Sequence, residues 1–512
     1  MNRSAADLPN DKIDFDRFRL RRFIENLGAD ELEVRDEPTQ LSSVASIIDG
    51  NQRAVLFRSV EGAEIVGNVV GSRSRLARAF GVATDKLLFE VLRRLKSRPT
   101  VVEVETGDAP VHQVILSGED ADLTKLPVHL QHGMDGAPYI SAGIDHTVDP
   151  SSGLTNVGVR RLMLRGRREC GIDLLSPSDL RANYERHVSS GKRLPIAFVI
   201  GAHPVDFTAA VMRLPIDELG IVASLRDAPL PTVKCVTNDV RVPADAEMVL
   251  EGYIDERGYV EEEGPFGEFL GYYGVLKRNP VFHLTAITKR HDALFQTATI
   301  GGRSISRTDT AQLCALRTEA MIWRALETAV REPTAVCATG ASGGMFNVRV
   351  ALRQRVPGEA RNAIMACFGS LANIKNVFVV DPDIDIFSDE QIEWALATRF
   401  QPDRDIVVLS GLRTLPLDPS LAGAIVGSKA GFDLTWPFGQ GGALNTQIPE
   451  PPAFAGRLFG SLRSALADGP KFFEELMTAV GSKDGREVVR ALDEIRSVVS
   501  RDDWGRYRLA SD

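Results

Sequence analysis

Two glutamates, Glu263 and Glu268, bracket a Gly-Pro-Phe-Gly turn in the stretch EEEGPFGEFLGYYG, residues 261–274. Glycines at 264 and 267 let the backbone bend tightly, and Phe266 can anchor the turn in apolar surroundings. A carboxyl held beside such a ring loses hydration, which raises its pKa and suits it to deliver a proton near neutral pH. An acidic surface loop fits the same spacing, so two glutamates alone decide nothing. A second stretch, DPSSGLTNVGVRRLMLRGRR, enters an alternating apolar strand directly after a Pro/Gly turn. Arg161 in that strand can fix a carboxylate through two parallel hydrogen bonds, and Asn156 can offer an amide oxygen to a hard cation. The neighbouring arginines at 160, 165, 167 and 168 fit a solvated basic edge strand equally well. In GSKAGFD, residues 427–433, Lys429 sits between glycines where a phosphate can approach, although such tripeptides also occur in ordinary turns. His129 and His132, in the proline-bounded loop PVHLQHG, read as structural.

Other chemistries lack their signatures. There is no GxxxxGK[ST], no GxGxxG after a strand, no HExxH and no GxSxG. A carboxylate pair also suits a glycosidase, but four Trp and seven Tyr leave few platforms for sugar rings. The 512 residues are 44% hydrophobic and 25% charged, as expected of a globular chain of about three folding units. A net charge of −9 gives no electrostatic reason to bind nucleic acid or an anionic membrane. No apolar run approaches 20 residues, the start MNRSAADLPNDK lacks a signal-like apolar region, and five single cysteines form neither a disulfide framework nor a CxxC site. A cytoplasmic location is the expectation.

The elements that would position these residues are mixed α/β. A helix is expected over 14–27, with Asp14 as N-cap, and another over 85–96, where Leu88, Val91, Leu92 and Leu95 share one stripe. From about 100 to 305 short strands recur (VVEVETG, IAFVIGA, TVKCVTNDVRVP, VFHLTAIT), which suggests a barrel-like sheet. A long helix opened by Thr308 or Asp309 and halted by Pro333 follows. A second α/β unit is then expected, with a half-buried strand through Val348, Val350 and Leu352. It continues with the buried strand NVFVVDPDIDIF, a helix with a Ser388–Gln391 capping box, and the buried strand DIVVLSG. Three amphipathic helices over 453–500 read as an arm for self-association.

The motifs together resemble the UbiD family of decarboxylases. DLTKLPV at 122–128, DPSSGLTNVGVRR, VKCVTNDVRVPADAEMVLEG at 233–252, EGPFGE at 263–268 and GSK at 427–429 follow the family's order, over about residues 40 to 440. The resemblance implies an N-terminal α/β part (1–115), a split-barrel flavin-binding domain (116–306), a linking helix (307–332), a C-terminal α/β oligomerisation domain (333–452) and a helical arm (453–512). It implies prenylated FMN as cofactor, near Asn156, Val157, Gly158, Val159, Arg161, Met212, Arg213, Glu218 and Lys429. Its phosphate would be held by manganese, potassium and Lys429, with Asn156 and Glu218 as metal ligands. Arg161, Glu263 and Glu268 would carry catalysis: Arg161 positions the substrate carboxylate, Glu268 donates the proton that replaces CO2, and Glu263 tunes both. The implied reaction is reversible decarboxylation of an aromatic or heteroaromatic acid through a covalent substrate–cofactor adduct; acrylic acids are the alternative. A flavin prenyltransferase would supply the cofactor, and a dimer or hexamer is expected. One departure stands out. The family's metal-ligand histidine falls on Pro177, which has no donor; Ser176, Ser178 or Asp179 could substitute, with His187 the nearest histidine. Arg213 stands where members often have a proline, and its charge could offset the phosphate. A cofactor-poor chain serving as a binding or assembly protein is the reading that this departure motivates.

Overall fold

The computed structural model describes residues 3–4, 13–97, 100–371, 373–440 and 442–510. Its N-terminal part opens with α1 (Leu20–Glu25), followed by β1 (Leu32–Arg35), β2 (Ala54–Val60), β3 (Ala63–Gly67) and α2 (Leu87–Arg94). α1 is shorter than the helix expected over 14–27. The Asp14 carboxylate accepts from the Asp16 amide at 2.9 Å, an Asx turn rather than a cap. Residues 15–18 form a turn, and Arg19, the extended residue before the helix, and Arg21 bind Glu247 and Glu64 across the fold. α2 buries Leu88, Val91 and Leu92, as its stripe requires.

The central segment contributes β4 (Tyr139–Val148), β5 (Thr155–Leu164), β6 (Glu169–Ile172), α3 (Asp179–Ser189), β7 (Leu194–Ile200), α4 (Pro204–Val211), α5 (Glu218–Arg226), β8 (Met248–Ile254), β9 (Glu261–Glu263), β10 (Lys277–Asn279), β11 (Val281–Lys289) and β12 (Phe295–Thr297). Six of these strands close a barrel in the order β8-β7-β4-β5-β6-β11, with β11 pairing back onto β8. Every pairing is antiparallel. Alternation sorts the side chains. Leu162, Ile172, Phe198, Leu250 and Phe282 join one core inside the barrel. Ile144, Val157 and Val199 pack outward with α4 and α5 in another. β12 runs parallel to β3 and ties the barrel to the N-terminal sheet.

The long helix α6 (Asp309–Ala329) is capped by Thr308, whose hydroxyl accepts from the Ala311 amide. A five-stranded sheet follows, built from β13 (Pro333–Ala338), β14 (Asn347–Leu352), β15 (Asn376–Val380), β16 (Ile406–Arg413) and β17 (Val426–Leu434), in the order β13-β14-β15-β17-β16, with α7 (Glu359–Ser370) and α8 (Asp389–Arg399) between strands. Val348, Val350 and Leu352 are fully buried. β16 departs from expectation: the apolar run DIVVLSG is an edge strand with Ile406 and Val408 exposed, and Val407 alone of its apolar side chains is buried. The Ser388 hydroxyl caps the Gln391 amide, but the Gln391 side chain accepts from the Asp385 amide, so half of the expected box forms. The chain divides between Thr435 and Trp436, ahead of the 452/453 boundary expected from sequence. The second unit contains α9 (Leu462–Ala467), α10 (Phe473–Ala479) and α11 (Gly485–Glu494) around Leu466, Leu476 and Leu492.

Candidate functional site

Arg161 leaves the middle of β5 and meets three carboxylates from separate elements. Its two terminal nitrogens donate to the two Glu268 oxygens at 2.9 and 3.2 Å, a fork-to-fork pair. The same guanidinium donates to Asp173 at 3.2 Å, and its Nε lies 3.5 Å from Glu263. Glu263, at the end of β9, accepts from the Tyr139 hydroxyl at 3.0 Å and from the Asn279 amide at 3.3 Å. Lys277 donates to Asp173 at 2.8 Å and stands 3.7 Å from Glu268. Phe266 lies under the guanidinium, 4.5 Å from ring centre to Cζ, and packs with Tyr139 and Met163.

The turn carrying Glu268 is braced from a distant loop. The Asp135 carboxylate accepts from the Gly267 amide at 2.9 Å and holds the His132 ring at 3.2 Å. A Cβ at Gly267 would meet that ring at 2.4 Å, so only glycine allows the approach. Burial raises the Glu268 carboxyl above its ordinary range even against Arg161 and Lys277. Burial acts on Asp173 in the same direction, but there the two cations prevail and the carboxyl is lowered. Glu268 is therefore the member placed to hold a proton.

A second cluster lies at the start of the same strand. The Glu218 carboxylate, in the first turn of α5, accepts from the Asn156 side chain at 2.8 Å and from the Val157 amide at 2.5 Å. Burial pushes Glu218 up to about 7, with Asp145 and Asp179 adding negative charge. Asn156, Glu218 and Asp179 line one cavity of about 200 Å³. The Asn156 Oδ1 is buried without a hydrogen-bond partner. An orphaned amide oxygen among carboxylates is the donor set of a hard cation, so these residues fit the metal that the sequence resemblance implied. Among the described residues no group of three His, Cys, Asp or Glu forms a metal site, because this set includes an amide.

The remaining expected residues sit in differing surroundings. Gly158 faces the fully buried Asp145, whose oxygens a Cβ would meet at 2.9 Å; Val159 is half-buried. Met212 is buried at the end of α4 and Arg213 is exposed. Arg213 adds positive charge near Arg317, whose guanidinium is lowered by burial and by that neighbour. Lys429 on β17 donates to the Leu371 carbonyl at 3.3 Å, and burial lowers it to about 8. His129 is buried against Thr297, as its structural reading required. Sequence reasoning did not pick out Tyr139, Asp173, Lys277 or Asn279. Lys277 and Asn279 had a signal: two residues apart on a strand, they share one face, and Glu263 pairs with Lys277 in register.

The family model described as the 3-octaprenyl-4-hydroxybenzoate carboxy-lyase Rift-related domain matches residues 102–304; the corresponding N-terminal and C-terminal domains match 30–95 and 311–434. The anhydromevalonate phosphate decarboxylase of Methanosarcina mazei is 32% identical over 406 residues, which cover 79% of this chain and 92% of the relative. The chain belongs to the UbiD family. Among solved structures, the UbiD-class enzyme HmfF from Pelotomaculum thermopropionicum in complex with FMN superposes with a TM-score of 0.79 at 33% identity, covering 85% of this chain and 98% of that one. The apo 3,4-dihydroxybenzoic acid decarboxylase from Enterobacter cloacae reaches a TM-score of 0.76 at 27% identity, with 86% and 98% covered. As a UbiD-family enzyme this chain is a carboxy-lyase, and its closed six-stranded barrel with flanking α/β parts is the architecture of UbiD-class structures. Among the described residues, no helix is long and apolar enough to cross a membrane.

Proposed function

We propose that this enzyme reversibly decarboxylates an unsaturated carboxylic acid with prenylated FMN as cofactor. The observation that carries the reading is the convergence of Glu263, Glu268 and Asp173 on the Arg161 guanidinium. When bound, the cofactor supplies an electron sink for the pair released with CO2. Arg161 offers a planar fork to the substrate carboxylate, and Glu268 must give up that fork as substrate enters. Glu268 becomes neutral on taking a proton, which weakens its hold on Arg161, and then delivers the proton to the carbon that lost CO2. Glu263, fixed by Tyr139 and Asn279, stays beside the Arg161 Nε. Asn156 and Glu218 would hold manganese at the cofactor phosphate, with potassium and Lys429 as further counter-charge and Asp179 as the third metal ligand.

An aromatic or heteroaromatic acid is the first substrate reading, supported by the 3,4-dihydroxybenzoic and vanillic acid decarboxylases among the structural neighbours. The second is a phosphorylated, non-aromatic acid. It is favoured by four relatives at 29–32% identity, all named anhydromevalonate phosphate decarboxylase. A homo-oligomer is part of the proposal; a solved neighbour is an evolved dimeric form of HmfF. Protein co-expressed with a flavin prenyltransferase should show a bound-flavin absorption band and release CO2 from one class in a panel of benzoates, heteroaromatic acids, acrylates and phosphorylated enoic acids. A purified protein with no flavin band and no CO2 release from any class sinks the reading.

A further inference from the structure

The 200 Å³ cavity at the start of β5 has a second wall, formed by one face of α3: Asp179, Asn183 and Arg186 stand at i, i+4 and i+7. The cavity carries charges of both signs. Asn156 and Glu218 line it from β5 and α5, and the unpartnered atom there is an acceptor, the Asn156 Oδ1. On α3, Asn183 is 2% exposed, and its Oδ1 accepts from Arg186 at 2.8 Å while its Nδ2 has no partner. Arg186 reaches the cavity with a guanidinium held to Asp149 at 2.7 Å. A buried acceptor among carboxylates calls for a cation; a buried donor beside a guanidinium calls for an anion. One ligand meets both needs: a phosphate monoester with a divalent cation on one of its oxygens. Without that cation the carboxylates at 149, 179 and 218 would repel a phosphate.

We infer that α3 forms the phosphate wall of the cofactor site, with the Asn183 Nδ2 and the Arg186 guanidinium donating to the phosphate. The Arg186–Asp149 pair keeps the guanidinium facing the cavity in the free protein. Pro177 precedes the Ser178 cap, whose hydroxyl accepts from the Arg181 amide, so the helix starts where it presents this face. The inference rests on the flavin-dependent reading above and goes beyond it in naming the residues that read the phosphate.

The test measures binding to the full-length protein in the presence of Mn2+, with FMN and riboflavin as probes that differ by the phosphate alone. The wild type should bind FMN far more tightly than riboflavin. Arg186→Gln, at a half-exposed side chain, should weaken FMN about tenfold and leave riboflavin unchanged. Arg186→Lys should recover part of the loss. Asn183→Leu should act in the same direction; because Asn183 is buried, the arginine variants carry the test if this one does not fold. Mn2+ affinity, read by electron paramagnetic resonance, should stay near the wild-type value in Arg186→Gln. The inference is overturned if Arg186→Gln binds FMN as the wild type does, or if it loses FMN and riboflavin equally. Failure of the wild type to bind FMN would remove the flavin-dependent reading itself, and this inference with it.

Discussion

The two clusters along β5 are finished to different degrees. Around Arg161 every carboxylate oxygen of Glu263, Glu268 and Asp173 accepts a hydrogen bond from the protein, and the Arg161 Nε, without a hydrogen bond of its own, still has Glu263 at 3.5 Å. At the Asn156 end, an amide oxygen, an amide nitrogen and both oxygens of Asp145 have none. Orphaned buried polar atoms cost stability, and proteins keep them where a ligand completes the set. The contrast separates machinery that the chain assembles alone from machinery that waits for a partner. Proton transfer belongs to the first and ligand retention to the second.

The largest test of this contrast is Glu268→Gln. The amide keeps the shape of the network but cannot donate the required proton, so CO2 release by the loaded enzyme should fall at least about 10²-fold while thermal stability changes little. Stability lost along with activity would show that the residue is architectural. Next is Arg161→Met, which strands the buried Glu263 and Glu268 and the half-buried Asp173 around an apolar side chain; a loss of about 3 kcal/mol should appear in denaturant unfolding of the ligand-free protein. The opposite end should respond to ligand instead. With Mn2+ present throughout, FMN at about 100 times its Kd should stabilise the wild type by about 2.7 kcal/mol. Little of that gain should survive in Glu218→Gln, measured by the melting shift.

A smaller effect concerns pH. Because burial holds Glu268 above 4.5, its contribution to stability is complete below pH 4.5 and is lost as pH rises through the raised value. The decarboxylation rate should fall over the same alkaline limb, where the donor loses its proton. Lys277→Met removes a positive charge 3.7 Å from Glu268, so that limb should move to higher pH by less than about one unit. An unmoved limb would mean that Lys277 serves Asp173 alone.

Legibility followed the same division. Arg161, Glu263 and Glu268 stood out because each lies in a motif whose glycines and proline leave few folds open. The fold class was readable for a related reason, since short alternating strands between turns leave few arrangements besides a barrel. Tyr139 and Asp173 were hidden because one opens an unremarkable strand and the other follows one, and each gains meaning only when barrel closure brings it to Arg161. Asp14 misled because a carboxylate before a helical stripe closes an Asx turn as readily as it caps a helix. DIVVLSG misled because an apolar run shows that a strand forms, not whether a neighbour covers its outer edge.

Asn156 and Arg161 are five residues apart on one extended strand. At about 3.3 Å per residue the backbone sets their separation at roughly 16 Å. β4 pairs with that strand from Thr155 to Met163, so the spacing works as a fixed ruler. A molecule engaging both marks has to be long, with its charged tail at one end and its reactive head at the other, and a small acid on its own reaches only one of them.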